Sequence, residues 1–205
     1  VAGLAVQREG ETLLFDCGEG NQRQMMRYGV GFSFREIFFS HYHADHVYGL
    51  QELKAHGAEI WAHTKGQGYL HSDIARERLE QRQADLRPWV DEKTRLVPAD
   101  RWLDFADGKT MSFAFGGMHF QLIDVSGAHS DDDIMMYVEE DKVLFAGDLY
   151  FTGRIPFVGD ADSAAWLVAP RVDMTYTDDP EAVRLGTESA WMDTNMSALA
   201  RRAIS

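Results

Sequence analysis

Apolar and polar positions alternate in short segments through the first forty residues of the chain. Residues 3–16 (GLAVQREGETLLFD) hold two alternating segments on either side of Glu9-Gly10-Glu11, which predicts a β-hairpin. A helix is predicted from Asn21 to Tyr28, with Met25 and Met26 available to the core. The apolar run EIFFS at residues 36–40 then predicts a short buried strand.

Similar patterns predict the remaining elements. Helices are predicted at residues 50–56, 69–86 (amphipathic and rich in charge) and 160–168, and strands at residues 58–63, 109–115, 118–125, 133–140 and 142–148. Pro88 and Pro98 interrupt a stretch without a clear helical or strand pattern between the two halves of the chain. Strand clusters flanked by helices in each half predict an α/β fold with four layers, in which helices cover two packed sheets. We assign residues 1–169 to this domain and expect the tail, 170–205, to pack on it and to contain a helix at 195–204.

Three histidines and an aspartate occupy six positions directly after the EIFFS strand, in the segment HYHADH at residues 41–46. Residues two apart in extended backbone project to the same side, so His41 and His43 can bind one metal ion. Asp45 and His46 follow at a turn into a helix and can face a second ion. Imidazole and carboxylate are ligands of zinc sites that keep a position for water. We prefer this interpretation to a histidine-rich surface loop.

Two later residues extend the candidate ligand set. His129 lies on a loop between two predicted strands, in DVSGAHSDDD. Asp148 follows the buried strand KVLFAG, where a carboxylate can bridge two metal ions. Either residue alone would be unremarkable, but their order after the histidine cluster indicates that both are ligands.

Composition narrows the classes of function. The chain has 205 residues, 45% of them hydrophobic, which suits one globular domain with a core. The single cysteine, Cys17, excludes an internal disulfide and favours a reducing, cytoplasmic location. No apolar run approaches the length of a membrane span. The formal charge of −13 disfavours a polyanionic partner such as tRNA and favours a small-molecule substrate.

The order of strand, His-x-His-x-Asp-His, later His and later Gly-Asp resembles the metallo-β-lactamase superfamily over residues 1–168. The resemblance implies an αββα sandwich, here expected to lack its first strand because Val1 already lies in a strand-like run. It implies one or two Zn²⁺ ions and a supporting carboxylate, Asp16, beneath the site. The implied ligands are His41, His43 and His129 for the first zinc, and Asp45, His46 and the bridging Asp148 for the second. It also implies that a metal-bound hydroxide attacks the substrate while Asp45 orients or deprotonates the water.

Two parts of the chain resemble different branches of this superfamily. Residues 13–50 are similar to ribonuclease Z, which trims the 3′ end of precursor tRNA, especially at the segment DCGEG (16–20) with Gln22 and Gln24. Residues 125–167 are similar to the small-molecule hydrolases that cleave thioesters, lactones or β-lactams, with Trp166 at the position of their tryptophan.

The chain departs from both branches after Asp148. No histidine follows His129, although both branches carry a late one, and we recognise no basic tRNA-binding arm. Water, Asp173, Glu188 or a second copy of the chain in a homodimer is therefore expected to complete the second zinc site. Three hypotheses follow: a zinc hydrolase of small acyl compounds, which we favour; a ribonuclease Z-like phosphodiesterase; and a non-catalytic metal-binding remnant.

The other polar candidates receive simpler interpretations. Asp131 to Asp133 are expected to form a solvated turn beside His129, one of them orienting its imidazole. Cys17 is expected to be a buried structural thiol. Position alone places Tyr150 and Arg154 near the substrate. The remaining histidines, which lack ligand spacing, are expected at the surface or behind the ligands: His56, His63, His71 and His119.

Overall fold

The computed structural model describes residues 3–18, 21–31, 33–106, 108–149, 158 and 161–168. The chain divides between Asp104 and Phe105 into two compact units, each with its own sheet. Within the described ranges, no helix has the length and apolar character needed to cross a membrane.

The first unit is built on a five-stranded sheet. Its strands are β1 (Leu4–Arg8), β2 (Glu11–Phe15), β3 (Glu36–Phe38), β4 (Glu59–His63) and β5 (Arg101–Leu103), and its helices are α1 (Asn21–Tyr28), α2 (Ala44–Val47), α3 (Leu50–Ala55), α4 (Gly66–Leu70) and α5 (Asp73–Asp85). The strands lie in the order in which they occur in the sequence, with β1 antiparallel to β2 and the rest parallel. Strands β2 to β5 therefore end at one edge of the sheet.

Local backbone chemistry explains the first two elements. The predicted hairpin is confirmed, with Glu9 (φ 51°) and Gly10 (φ 84°) between its strands. Two consecutive positive φ values are typical of the type I′ turn, whose twist matches that of paired strands. Helix α1 is confirmed at its predicted bounds and ends before Gly29 (φ 69°), where the Val30 N–H bonds back to the Met25 carbonyl at 2.9 Å.

The single helix predicted over residues 69–86 is wrong. Ser72 adopts extended backbone between α4 and α5, and its Oγ accepts the Ala75 N–H at 3.1 Å. A serine that caps a new helix satisfies an N–H that would otherwise lack a partner in the first turn, so the chain starts again there. Helix α5 is also not amphipathic, because Ala75 is its one fully buried residue.

Two further corrections concern the packing of the first unit. Met25 is buried, but Met26 is 64% exposed, so only the first supplies the core. Strand β5 was not predicted; it has three residues and lies within the looser stretch that follows Pro98. The core of this unit is made by buried side chains from the sheet and from the segments after it, including Leu14, Ile37, Phe39, Tyr42, Val47, Leu50, Leu53, Ile60 and Val90.

The second unit contains an antiparallel sheet. Its elements are β6 (Thr110–Phe115), β7 (Met118–Asp124), β8 (Ile134–Val138), β9 (Val143–Phe145), a 3₁₀ turn (Gly147–Leu149) and α6 (Ser163–Val168). The four predicted strands are confirmed in the order β6-β7-β8-β9, and every residue of β8 is buried. The last predicted helix begins at Ser163 instead of residue 160, and the helix predicted at 195–204 lies outside the described residues.

Close packing at Gly49 gives a test of this fold. A Cβ atom on Gly49 would lie 2.7 Å from both the carbonyl oxygen and the Sγ of Cys17. Gly49→Ala is therefore expected to lower the free energy of unfolding by about 1–3 kcal/mol, as overpacking does. Urea denaturation measures the change. The control is Gly68→Ala in α4, where a Cβ meets no atom within 4 Å; alanine should stabilise that helix by about 0.5–1 kcal/mol. Equal stabilities would contradict the packing described.

Candidate metal centre

The site in the first unit lies where β2 and β3 end. Asp16 directly follows β2, and Ser40 and His41 follow β3 within three residues of its end. Asp16 has a left-handed backbone (φ 63°), which aspartate tolerates better than most residues, and its N–H bonds to the Phe38 carbonyl at 2.8 Å. This bond brings the end of β2 against the end of β3.

The buried carboxylate of Asp16 collects the surrounding donors. Its Oδ1 accepts the Ser40 N–H at 2.7 Å, and its Oδ2 lies 2.9 Å from Nδ1 of His46. The Ser40 hydroxyl lies 3.1 and 3.0 Å from the two carboxylate oxygens, and also 2.9 Å from Nδ1 of His41. One carboxylate thus contacts one imidazole directly and a second imidazole through a serine.

Proton positions follow from this geometry. A carboxylate accepts and cannot donate, so a neutral His46 ring that bonds to it carries its proton on Nδ1 and its lone pair on Nε2. Ser40 has a single proton; when it is donated to Asp16, the hydroxyl oxygen accepts the His41 Nδ1–H. His41 then also carries its lone pair on Nε2. An acid that fixes the tautomer of an imidazole in this way is the usual support of a metal-ligating histidine.

The other imidazole and the acid of the HYHADH segment lie beside these two. The His41 ring centroid lies 4.4 Å from that of His43 and 4.3 Å from that of His46. Asp45, in the first turn of α2, has an exposed side chain whose Oδ2 is 3.6 Å from Nε2 of His46. The first unit therefore brings all four predicted residues of the segment together.

Tyr42 anchors the extended segment that carries His41 and His43. It is buried, and its hydroxyl accepts the Ala99 N–H at 3.1 Å and donates to the Val97 carbonyl at 3.4 Å. Sequence reasoning missed Tyr42 and Ser40. Their signal is position: one lies between two histidines that project to one side, and the other directly precedes the first histidine.

The second unit brings together His129, Asp148 and Trp166. His129 is buried, and its Nε2 lies 3.7 Å from Oδ2 of Asp148. The Trp166 ring meets the His129 ring edge-on, with centroids 5.0 Å apart. The indole N–H of Trp166 donates to the Leu149 carbonyl at 3.0 Å, which ties α6 to the turn that carries Asp148.

The prediction of a solvated turn at Asp131 to Asp133 is wrong for two of its three residues. Asp131 is exposed, but Asp132 and Asp133 are buried. Burial raises the pKa of the Asp133 carboxyl to about 7, while hydrogen bonds from Ser130 and His129 oppose that rise.

These donors suit a borderline divalent cation such as zinc. The HYHADH segment supplies three imidazoles, two of which present Nε2, and a carboxylate. The second unit has its own imidazole close to a carboxylate, His129 beside Asp148. Nitrogen-rich sets of this kind suit zinc, iron or other transition metals better than calcium or magnesium, which prefer oxygen ligands.

The remaining candidates fall into three groups. His56, His71 and His119 are exposed, as expected, whereas His63 is buried at the end of β4, where its Nδ1 accepts the Lys65 N–H at 3.0 Å. Cys17 is buried, and desolvation raises the pKa of its thiol to about 12, which keeps it protonated. Outside the described residues lie Glu19, Gly20, Tyr150, Arg154, Asp173 and Glu188.

A sequence profile described as the metallo-beta-lactamase superfamily matches residues 2–192. The chain belongs to this superfamily. The match includes the histidine cluster and both later candidate ligands. The prediction that the chain is a metal-dependent hydrolase of the superfamily agrees with this membership.

Solved structures share its fold. ST1585, a metallo-beta-lactamase superfamily protein from Sulfolobus tokodaii, matches with a TM-score of 0.68 and 21% identity, over 100% of this chain and 81% of its own. The BLEG-1 B3 metallo-beta-lactamase matches with a TM-score of 0.67 and 21% identity, over 91% of this chain and 86% of its own. TTHA1623 in a di-iron-bound form matches with a TM-score of 0.67 and 20% identity, over 98% of this chain and 92% of its own. The predicted α/β fold class is confirmed.

Curated relatives match a shorter segment more closely. Ribonuclease Z of Gemmatimonas aurantiaca is 60% identical over 53 residues, which is 26% of this chain and 17% of that protein. Ribonuclease Z of Myxococcus xanthus is 58% identical over 50 residues, which is 24% of this chain and 16% of that protein. The matched segment thus spans about a sixth of the length of these relatives. The predicted resemblance to ribonuclease Z is confirmed over that part.

The tautomer of His46 can be measured. Its hydrogen bond to Asp16 predicts a proton on Nδ1 and a lone pair on Nε2 in the metal-free protein at pH 8. Long-range ¹H–¹⁵N spectra of the imidazole distinguish the two nitrogens. Asp16→Asn, which the left-handed backbone tolerates, should remove this preference; Glu9→Gln, at an exposed left-handed position, should not. A proton found on Nε2 in the unsubstituted protein would contradict the network.

Proposed function

We propose that this protein is a zinc-dependent hydrolase of small acyl compounds: esters, thioesters, lactones or β-lactams. The observation that carries the metal centre is the Asp16 carboxylate, which supports His46 directly and His41 through Ser40. Such an arrangement presents Nε2 of both imidazoles as ligand atoms. A buried acid with these partners is hard to explain by stability alone, since a hydrophobic core would need none of these groups.

The proposed ligand set is the one that the superfamily resemblance implies. His41, His43 and His129 would hold one zinc ion, and Asp45, His46 and Asp148 would hold a second. Zinc suits the donors, and iron is the alternative metal, since TTHA1623 was solved in a di-iron-bound form. The last ligand of the second ion would be water, a residue after position 170 or a residue of a second copy.

The chain's own residues have defined tasks in this proposal. A bound metal supplies Lewis acidity, which polarises the scissile group and lowers the pKa of water. Asp16 and Ser40 keep two imidazoles in the ligating tautomer. Oδ2 of Asp45 is exposed beside His46 and would orient the attacking water and accept its proton. Trp166 packs on His129 and limits the movement of that ring.

Charge and motif together support a small acyl substrate. The net charge of −13 repels a polyanion on average, so binding an RNA would need a local basic surface. Residues 125–167, which include two proposed ligands and Trp166, are similar to the small-molecule hydrolases of the superfamily. The ribonuclease Z-like phosphodiesterase remains the second candidate function because of the 60% identity over 53 residues.

Substitution of proposed ligands tests the metal chemistry. His43→Ala and Asp148→Asn should each lower turnover by at least about a thousandfold, since the metal is expected to supply several kcal/mol of transition-state stabilisation. Circular dichroism and thermal unfolding should show a retained fold. His71→Ala, at an exposed histidine that is not a proposed ligand, is the control and should keep full turnover. Unchanged turnover in either ligand variant would sink the assignment.

A substrate panel separates the two candidate functions. The zinc-loaded protein is assayed with a chromogenic cephalosporin, a lactone, a thioester and bis-p-nitrophenyl phosphate, and with a precursor tRNA on a gel. Hydrolysis of at least one acyl substrate, lost on chelation and restored by zinc, is expected. Cleavage of the tRNA or the phosphodiester without acyl hydrolysis would support the ribonuclease Z-like function instead.

A further inference from the structure

We propose that Asp133 is a positioning residue that fixes the backbone at His129 and so holds its imidazole in place for metal binding. The inference rests on the proposed function, because it concerns a proposed ligand of the first zinc ion. Asp133 bonds to the main-chain N–H of His129 and acts through the main chain.

The Asp133 carboxylate accepts three hydrogen bonds from His129 and Ser130. Its Oδ2 accepts the His129 N–H at 2.7 Å and the Ser130 N–H at 2.6 Å, and its Oδ1 accepts the Ser130 hydroxyl at 2.7 Å. The side chain is buried, so these bonds compete little with water. Two consecutive N–H groups on one oxygen fix the orientation of the peptide planes around His129.

The main chain of Asp133 closes the same loop from the other side. Its carbonyl accepts the Val125 N–H at 3.1 Å, and Gly127 N–H bonds to the Ser130 carbonyl at 2.7 Å. Gly127 has a φ of 88°, which lets the loop turn tightly before His129. Asp133 therefore ties both the start of the loop and the residues that present the imidazole.

These contacts use both oxygens of the Asp133 side chain. The two N–H groups at Oδ2 can only donate, whereas the Ser130 hydroxyl at Oδ1 has a single proton and also lies 3.0 Å from Oδ1 of Asp132. Asparagine has nearly the same shape but offers one acceptor oxygen, so it meets the two N–H groups only when its amide N–H₂ faces Ser130. Asp133→Asn therefore replaces one acceptor of the loop with a donor without leaving a cavity.

Metal affinity distinguishes positioning from general stability. Zinc affinity is measured by competition with a chromophoric chelator, and unfolding of the metal-free protein is followed in parallel. Asp133→Asn should weaken zinc binding about 10–100-fold, the range for residues that orient metal ligands. The control is Asp131→Asn, an exposed neighbour with the same chemistry, which should leave affinity unchanged.

A double-mutant cycle with His129→Ala supplies the readout that a merely structural role would not move. If Asp133 acts through His129, Asp133→Asn should change zinc affinity by less than about twofold once the imidazole is absent. A full additional loss in the His129→Ala background would overturn the inference. If Asp133→Asn does not fold, Ser130→Ala takes its place, since it removes the hydroxyl that bonds to Oδ1 of Asp133 and also to Oδ1 of Asp132. Unchanged affinity there would also overturn the inference.

The same experiment separates this inference from the proposed function. If His129→Ala itself leaves zinc affinity unchanged, the proposed metal centre is wrong, and the inference falls with it. If His129→Ala weakens binding but Asp133→Asn does not, the metal centre stands and only the role of Asp133 is wrong.

Discussion

The site of the first unit depends on one buried carboxylate, that of Asp16. Placing a carboxylate out of water is unfavourable unless donors surround it, and here the Ser40 N–H, the Ser40 hydroxyl and Nδ1 of His46 do so. Those donors are available because parallel strands β2 and β3 end at one edge of the sheet. The left-handed backbone of Asp16 is a local strain that the hydrogen-bonded surroundings maintain. The tautomers of two imidazoles are consequences of this arrangement.

The second unit uses a buried carboxylate for a different task. Asp16 contacts side chains and so controls where the protons of imidazoles lie. Asp133 contacts main-chain N–H groups and so controls where the backbone lies. The difference follows from the local structure: the histidines of the HYHADH segment leave a strand whose course the sheet already fixes, whereas His129 lies on a loop that needs its own support. Loops are more mobile than the elements they connect, so a functional side chain on a loop depends on such support.

The sequence predicted features that depend on residue type and short spacing. The hairpin at Glu9-Gly10 and the HYHADH cluster are such features. In the structure, the two strands of the hairpin pair, and the three histidines and the aspartate of the cluster lie side by side. The break at Ser72 was missed because the helical pattern continues through this residue. The hydrogen bond from the Ala75 N–H to the Ser72 hydroxyl favours a new helix start there, and its free energy differs little from that of a continuous helix. Asp133 was misjudged because a run of three acids looks solvated, and only the folded loop reveals the donors that make its burial tolerable.

Substrate class is harder to derive because acyl and phosphoryl transfer need the same metal chemistry. Both require a polarised electrophile and an activated water, so the ligand set alone is compatible with either. The electrostatic effect of the net charge of −13 extends about 8–10 Å from the surface at physiological salt. It therefore affects how often a charged substrate reaches the protein more than it affects the reaction at the site. Selectivity must therefore come from groups that contact the substrate beyond the reacting centre. A precursor tRNA would need many phosphate contacts on basic side chains, whereas a small acyl compound needs few. This difference is the reason for the small acyl substrate that we propose.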